Sequence, residues 1–350
     1  MRILVTGGAG FIGSEFVRST LRGLLPDSAG TRVTVLDKLT YSGNLANLAP
    51  VADLPGYRFV RGDTCDPAVV DVAVAGQDAI VHFAAETHVD RSIVSPAQFV
   101  RTNMVGTEVL LAAALRHGVK RFVHVSTDEV YGSIDSGSWT EETPLAPNVP
   151  YAATKAGSDL LALSYHRTFG LDVVVTRCTN NYGWYQFPEK LVPLFVTNLL
   201  DGRPLPLYGD GGNRRDWLHV SDHCRAIQLV LHGGRAGEVY HIGGGAELTN
   251  TELTARLLES FGVGWDVVER VADRQGHDRR YSLDIAKISR ELGYRPAIGF
   301  DEGLAMTVHW YRENRAWWEP LRARAAIGRT RPRGRVRRLA GRRPSEVTAS

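Results

Sequence analysis

The first half of the chain alternates short, β-branched apolar runs with stretches of helical periodicity. The runs predict six strands, at Ile3–Thr6, Val33–Leu36, Tyr57–Arg61, Ala79–Phe83, Arg121–Ser126 and Val173–Arg177. Near-continuous apolar strands that alternate with helices are typical of a parallel sheet covered on both faces. We therefore predict an α/β fold of the Rossmann type, with a doubly wound parallel sheet, over residues 1–180.

The pattern changes after about residue 180, where it becomes irregular and richer in Pro, Trp and Tyr. Helical periodicity predicts amphipathic helices near residues 189–201, 251–262 and 301–315. We interpret residues 181–320 as a smaller, mixed α/β lobe that binds the substrate, and we allow for later segments that return to the first domain.

Positive charge is concentrated at the end of the chain. The net charge is +3, but residues 321–350 hold ten Arg and one acidic residue, so the rest of the chain is acidic overall. We predict a disordered, solvated tail here. Contact with a nucleic acid is the weaker alternative, because no aromatic residues alternate with these arginines.

Cysteine usage and hydropathy indicate the compartment. Cys65, Cys178 and Cys224 lie far apart and form no C-x-x-C pair, so we expect free thiols and no metal site. The apolar start, residues 1–13, is broken by four glycines, and no apolar run reaches the roughly 18 residues of a membrane span. We expect a cytoplasmic protein with no membrane partner and no nucleic-acid partner.

A glycine-rich loop, Gly7 to Gly13, follows the first predicted strand and opens a helix. Such a loop lets backbone N–H groups approach a diphosphate. Asp37 ends the second strand, where a carboxylate binds ribose hydroxyls and repels a 2′-phosphate, so NAD is favoured over NADP. Asp63 ends the third strand and is either a contact to adenine or the N-cap of a helix ahead of Pro67.

Candidate catalytic groups follow the fifth strand. Tyr151 and Lys155 are four residues apart on a predicted helix, so they share one face, and the cation favours a phenolate near neutral pH. Thr127, Asp128 and Glu129 stand at the end of the preceding strand. Adjacent carboxyl groups of opposite protonation suit the addition or removal of water, which hydride transfer alone does not need.

Several segments together resemble the extended short-chain dehydrogenase/reductase family of NAD-dependent epimerases and dehydratases, and within it the dTDP-glucose 4,6-dehydratases. The resemblance covers residues 1 to about 318. It is carried by the runs at Asp37–Tyr41, Ala84–Ser92, Ser126–Gly132, Asn180–Gly183, Phe187–Leu191, Arg215–Trp217 and Gly276–Tyr281.

The resemblance implies conversion of dTDP-glucose to its 4-keto-6-deoxy derivative, with a tightly bound NAD that is regenerated in each turnover. Tyr151 takes the proton of the sugar 4-hydroxyl, which Thr127 holds. Glu129 then removes the C5 proton, and Asp128 protonates the departing 6-hydroxyl.

The same resemblance assigns the binding residues. Those expected at the cofactor are Gly7, Gly10, Phe11, Ile12, Gly13, Asp37, Lys38, Leu39, Thr40, Asp63, Thr64, Phe83, Ala84, Ala85, Thr102, Tyr151, Lys155 and Asn180. Those expected at the nucleotide sugar are Thr87, Thr127, Asp128, Glu129, Asn180, Asn181, Glu189, Lys190, Leu191, Pro206, Tyr208, Arg215, Asn250, Arg274, His277 and Tyr281.

Two residues, Glu15 and Trp184, depart from the family pattern, and we expect Trp184 to reshape the mouth of the cleft. The family also implies a homodimer with a four-helix interface, built from helices near residues 96–117 and 151–168.

Two alternatives to a dehydratase remain open. A nucleotide-sugar 4-epimerase or decarboxylase shares the glycine loop, Tyr151 and Lys155, but such enzymes generally lack the adjacent acid pair. A silent NAD-binding protein has no need of Tyr151, Lys155 and Glu129 together.

Overall fold

A computed structural model describes residues 1–327 of the chain. Its main sheet has seven strands, all parallel, in the order β3-β2-β1-β4-β5-β6-β10. The strands of the main sheet are β1 (Arg2–Thr6), β2 (Arg32–Asp37), β3 (Tyr57–Arg61), β4 (Ala79–His82), β5 (Arg121–Thr127), β6 (Val173–Cys178) and β10 (Val239–Ile242). The six strands predicted from the apolar runs are therefore all present.

Helices cover this sheet on both sides. The α-helices of residues 1–327 are α1 (Phe11–Leu21), α2 (Pro67–Val74), α3 (Val89–Val94), α4 (Pro96–Phe99), α5 (Gly106–Arg116), α6 (Pro150–Phe169), α7 (Leu191–Leu200), α8 (Val220–Gly233), α9 (Asn250–Phe261), α10 (Ala286–Leu292), α11 (Phe300–Glu313) and α12 (Arg315–Ile327). None of the helices in residues 1–327 is long and apolar enough to cross a membrane.

Two apolar cores separate the helices by face. On one face, α1 and α8 pack on the sheet through residues such as Phe16 and Ile227. On the other face, α2, α5 and α6 pack through residues such as Leu110 and Leu163. The sheet is thus doubly wound, and the predicted Rossmann-type fold is confirmed. The strand order reverses between β1 and β4, which opens a crevice at their carboxyl ends.

A smaller lobe follows β6 and contains two short sheets. One sheet has the order β11-β9-β7, from Glu247–Thr249, Arg214–His219 and Asn180–Tyr182, and the other pairs β12 (Val268–Val271) with β8 (Leu205–Tyr208). Helices α7, α9, α11 and α12 surround a third core that contains Tyr182, Trp217 and Trp318. Between these elements the chain returns to the main sheet, where β10 pairs with β6 and α8 packs beneath it.

A π-helical turn, Val100–Val105, joins α4 to α5 where the sequence predicts one helix near residues 96–117. Within the turn, buried Asn103 donates to the carbonyl of Glu86 at 3.1 Å and to the hydroxyl of Thr154 at 3.0 Å. Its own Oδ1 accepts from the backbone N–H of Glu86 at 2.8 Å. The turn therefore ties the segment after β4 to α6, and π turns inside helices are frequent at functional sites.

Residues 321–327, the first part of the predicted tail, belong to helix α12. Helix α12 continues to Ile327, and the indole of fully buried Trp318 donates to the carbonyl of Tyr311 at 2.7 Å. The guanidinium of Arg322 lies 5.9 Å from the centre of the Trp318 ring. The remainder of the predicted tail lies outside the described residues.

We predict that Trp318→Ala lowers the free energy of unfolding by about 3–5 kcal/mol, because it leaves a cavity in the core of the smaller lobe. Trp265, which is 45% exposed, is the matched control, and Trp265→Ala should change the stability by less than about 1 kcal/mol. Urea unfolding of both variants measures the difference. A loss of stability in Trp318→Ala as small as that expected for Trp265→Ala would show that the Trp318 side chain adds little packing to this core.

Candidate active site

A tight glycine loop joins β1 to α1 at the carboxyl end of the sheet. Gly7 has a φ of +70°, and a Cβ atom there would lie 2.7 Å from the backbone of Ala84. A Cβ atom on Gly13 would lie 2.4 Å from the carbonyl oxygen of Gly7. No larger residue fits at either position without displacing backbone, so the loop forms a cradle in which a diphosphate can approach the start of α1.

The carboxylate of Asp37 is held at the end of β2 by two backbone N–H groups. Its Oδ2 accepts from Ala9 at 2.9 Å, and its Oδ1 accepts from Leu39 at 2.8 Å. Burial raises the pKa of Asp37, and these two hydrogen bonds oppose that effect. A carboxylate fixed in this place suits ribose hydroxyls, so the residues present fit the dinucleotide that the sequence predicts.

Asp63 pairs with Lys38 at 2.6 Å and accepts from the backbone N–H of Cys65 at 3.0 Å. Burial alone would raise the pKa of Asp63, but the hydrogen bond from Lys38 leads a set of contacts that lower it. The alternative role of Asp63 as a helix cap is wrong. Asp66 caps α2, because its side chain accepts from the first backbone N–H groups of that helix.

The crevice at the switch in strand order is a cavity of about 330 Å³, within the range usual for ligand sites. Its lining includes most of the residues expected at the cofactor: Gly7, Gly10, Phe11, Ile12, Gly13, Asp37, Lys38, Thr40, Asp63, Thr64, Phe83, Ala84, Ala85, Thr102, Tyr151, Lys155 and Asn180. From the expected substrate residues, it includes Thr87, Thr127, Asp128, Glu129, Asn180, Asn181, Glu189, Lys190 and Leu191.

The acid pair lies where β5 ends. The hydroxyl of Thr127 donates to Oδ1 of Asp128 at 3.2 Å and accepts from the backbone N–H of Glu129 at 3.3 Å. The buried oxygens Asp128 Oδ2 and Glu129 Oε2 have no hydrogen-bond partner within the described part of the chain. Because both residues line the cavity, these oxygens are available to a ligand.

Burial raises the pKa of both carboxyl groups, and neighbouring charges make the rise unequal. Burial, followed by the charge of Glu129, raises the pKa of Asp128 well above its usual range. Burial also raises the pKa of Glu129, but the cations Arg274, Lys190 and Arg215 oppose that effect. Asp128 is therefore the member that keeps its proton, and Glu129 is the member that more readily releases it.

Tyr151 and Lys155 lie on the first turns of α6 and are both buried. The ammonium of Lys155 donates to the carbonyl of Val125 at 2.8 Å, and burial lowers the pKa of Lys155 to about 8. The expected lowering of the pKa of Tyr151 is wrong for this structure. Burial, and then the charge of Glu129, raise it well above its usual range, and a hydrogen bond with Thr127 opposes them.

Several expected residues do not line the cavity. They are Leu39, Pro206, Tyr208, Arg215, Asn250, Arg274, His277 and Tyr281. Arg215 stacks over the ring of Tyr281 at 4.1 Å and donates to the carbonyl of Asp278 at 2.8 Å. The rings of Tyr208 and His277 meet edge to face at 6.4 Å. Except for Leu39, these residues belong to the part of the chain after β6, and the charges of Arg215 and Arg274 reach the cavity through their effect on Glu129.

The sequence assigned no role to other residues of the lining. They are Leu36, Ser42, Gly43, Gly62, Glu86, Val125, Ser126, Cys178, Thr179, Gln186, Phe187, Val192 and Trp217. The carboxyl ends of the strands could have identified Ser126, Cys178 and Thr179, since parallel strands end at one edge. Gln186 and Phe187 come from an irregular loop whose pattern carries no such signal.

Glu15 and Trp184, the two departures from the family pattern, contact each other. The indole N–H of Trp184 donates to Glu15 at 2.7 Å, and Arg18 and Ser221 donate to the same carboxylate at 2.7 and 3.1 Å. Trp184 does not itself line the cavity, and its effect on the cleft mouth stays a prediction. Its hydrogen bond to Glu15 connects the loop before Phe187, a residue of the lining, to α1.

Comparison with known proteins agrees with this geometry. The model of the family described as GDP-mannose 4,6 dehydratase matches residues 4–307. A dTDP-glucose 4,6-dehydratase of Streptomyces niveus is 73% identical over 323 residues, covering 92% of this chain and 96% of the relative.

Solved structures agree as well. The crystal structure of a dTDP-glucose 4,6-dehydratase from Streptomyces venezuelae, with NAD bound, has a TM-score of 0.91 and 67% identity, covering 92% of this chain and all of that one. A UDP-glucose 4-epimerase from Thermotoga maritima has a TM-score of 0.82 and 32% identity, covering 89% of this chain and 99% of that one. The resemblance found in the sequence is confirmed, and the chain belongs to the GDP-mannose 4,6 dehydratase family.

Proposed function

We propose that the protein is an NAD-dependent dTDP-glucose 4,6-dehydratase, a hydro-lyase that forms dTDP-4-keto-6-deoxyglucose. The observation that carries the proposal is the acid pair, Asp128 and Glu129, which lines the same cavity as Tyr151 and Lys155. The names of the highly similar relatives support the choice of sugar nucleotide. An epimerase inverts one carbon and has no step that needs two further carboxyl groups.

The glycine loop, Asp37 and the pair of Lys38 with Asp63 would hold the diphosphate, ribose and adenine portions of the cofactor. NAD, when bound, accepts hydride from C4 of the sugar and returns it to C6, and it carries a positive charge in its oxidised form. Tyr151 takes the proton of the 4-hydroxyl, and the hydroxyl of Thr127 orients that group. Burial opposes release of the phenolic proton of Tyr151, and the positive charge of Lys155, one turn further along α6, acts in the opposite direction.

Water is lost through the two carboxyl groups. The ketone at C4 makes the C5 proton acidic, and Glu129 removes it as a carboxylate. Asp128, which burial keeps protonated, donates its proton to the departing 6-hydroxyl. Return of hydride to C6 leaves an enolate, and the proton held by Glu129 goes back to C5, which restores the Glu129 carboxylate. Tyr151 then releases the proton that it took from the 4-hydroxyl, and Asp128 takes up one proton in place of the one lost with water.

The nucleotide would lie on the lobe that follows residue 180, where Arg215 offers a planar guanidinium to a diphosphate. This division of labour between residues 1–180 and 181–320 is part of the proposal. We also propose a cytoplasmic location, which the free thiols of Cys65, Cys178 and Cys224 support.

Purified protein should convert dTDP-glucose to a product lighter by one water, without added reductant, because hydride is borrowed and returned. Mass spectrometry of the product, with UDP-glucose assayed in parallel, measures conversion and base preference. Tyr151→Phe, which lacks the phenol oxygen, is the inactive control. An isomer of unchanged mass would identify an epimerase, and no conversion with NAD bound would contradict the proposal.

Asp128→Asn should slow water loss by about 10²–10⁴-fold and slow hydride transfer to NAD much less, because the amide cannot protonate the leaving group. Stopped-flow absorbance of reduced NAD, together with product mass after rapid quenching, separates the two steps. Glu142→Gln removes an exposed carboxylate and should leave both steps unchanged. Equal slowing of the two steps by Asp128→Asn would contradict the assigned role.

We further propose a homodimer formed by α6 and the helical segment that contains α4 and α5. Both expose apolar side chains: Leu160 on α6 is 56% exposed, and Val100 and Val105 on the π turn are 45% and 46% exposed. Exposed apolar residues on two adjacent helices are suited to a two-fold helical interface.

Leu160→Glu should convert the dimer to a monomer at micromolar concentration, because the interface would bury an unpaired charge. Light scattering after size-exclusion chromatography measures the mass. Leu24, which is 69% exposed in the loop after α1, gives the control variant Leu24→Glu, for which no change is expected. A native protein that is already monomeric would refute the proposed interface.

A further inference from the structure

Lys155 is a buried cation that contacts two neutral groups. It is 4% exposed, and its ammonium group donates to the carbonyl of Val125 and lies 3.4 Å from Nε2 of His124. A buried ammonium is costly unless an opposite charge compensates it. The compensating charge must come from a neighbouring group.

That group is Asp159, which follows Lys155 by one turn of α6 and is fully buried. Its Oδ2 accepts from Nε of Arg177, on β6, at 2.9 Å. Its Oδ1 lies 3.3 Å from Nε2 of His124, on β5, the same ring nitrogen that faces Lys155. One carboxylate therefore adjoins both a guanidinium and the ring that contacts the ammonium.

In the cluster of Lys155, Asp159, Arg177 and His124, the positive and negative charges do not balance near neutral pH. Burial alone would raise the pKa of Asp159, but the charge of Arg177 and then His124 hold it at about 2. Burial lowers the pKa of His124 to about 4, so the imidazole is neutral near neutral pH. Arg177 does not release its proton in proteins. Near neutral pH, the carboxylate of Asp159 is thus the negative charge that faces both Arg177 and Lys155.

The remaining titratable groups packed around the cluster come from every neighbouring element. They are His82 on β4, Tyr131 after β5, Tyr151 on α6, Cys178 on β6, and His241 with its contact Glu141. Burial lowers the pKa of both His82 and His241 and raises the pKa of Tyr131, Tyr151 and Cys178. These five groups are therefore neutral near neutral pH and do not replace the charge of Asp159. The sixth, Glu141, accepts from the backbone N–H of His241 at 3.1 Å, and burial raises its pKa.

We propose that Asp159 is a positioning residue for the dehydratase reaction: its carboxylate, fixed by Arg177 and His124, keeps Lys155 charged and in place beside β5. The inference rests on the proposed function, since it assigns Asp159 to the support of the lysine that aids Tyr151. A purely structural role explains the cluster less well, because apolar side chains can fill such a site at equal or better stability than a buried ion pair.

Removal of the negative charge of Asp159 should change the pKa of Lys155 in one direction. Two cations would remain, and only Lys155 can release its proton, so the pKa of Lys155 falls from its value of about 8. An amine is charged below its pKa and neutral above it. Activity that needs the ammonium is therefore lost, as pH rises, at a lower pH than in the native enzyme.

The test is the pH profile of kcat/KM for the NAD-loaded, full-length Asp159→Asn variant, whose amide keeps the size of the side chain. We expect the alkaline limb of this profile to shift to lower pH by about one unit, the shift usual for loss of a nearby opposite charge. The KM for dTDP-glucose should change little. Asp159→Glu, which keeps the charge, should restore the native position of the limb.

Asp172→Asn is the matched control, because Asp172 also pairs with an arginine, Arg121, at 3.0 Å, but at the opposite end of β5 and β6. Its profile should not move. A uniform loss of activity in Asp159→Asn at every pH, without a shift, would overturn the proposal, because a merely structural residue would behave in that way.

Arg177→Gln provides a second measurement if Asp159→Asn fails to fold. The side-chain amide of the glutamine still donates a hydrogen bond to Asp159 but carries no positive charge. Without the charge of Arg177, the pKa of Lys155 should rise, so the alkaline limb of the pH profile should move to higher pH. An unmoved or lowered limb in a folded Arg177→Gln variant would contradict the inference. Absence of turnover in the native enzyme would instead contradict the proposed function. In that case, a spectroscopic titration of Tyr151 in the NAD complex would still compare the variants and so test the inference separately.

Discussion

Seven parallel strands present their carboxyl ends at one edge, and the order of the strands reverses between β1 and β4 at that edge. The reversal leaves a crevice into which the strand ends deliver the glycine loop, the Asp37 carboxylate and the acid pair. Parallel strands need crossover helices, and those helices cover both faces of the sheet. The crevice is therefore the place where polar groups can gather without disturbing the apolar layers, and the rest of the site depends on it.

Burial at this edge also determines the chemistry. A carboxyl group in water would be ionised near neutral pH, as would its neighbour. Exclusion of water raises the pKa of both groups; the charge of Glu129 adds to the rise at Asp128, whereas nearby cations oppose the rise at Glu129. Two side chains adjacent in sequence thus differ in how readily they release a proton, because different charges face them, and no special residue type is required.

Much of the fold could be predicted from sequence, because apolar runs of buried parallel strands and a glycine loop are local signals. The position of most of the lining could also be predicted, since it follows from strand ends. The pKa of Tyr151 could not, because it depends on burial and on the charge of Glu129 after the chain has folded. The partnership of Glu15 with Trp184 likewise joins positions distant in sequence, and no periodic pattern connects them.

The return of the chain to the main sheet has a consequence for how the two lobes can be separated. Strand β10 completes the sheet beside β6, and α8 covers that region, although both lie in sequence after the smaller lobe has begun. A chain cut after β6 would expose the edge of β6 and strip the apolar face beneath it. The smaller lobe is thus interwoven with the larger one, and an exchange of substrate lobes between relatives would have to leave β10 and α8 with the recipient sheet.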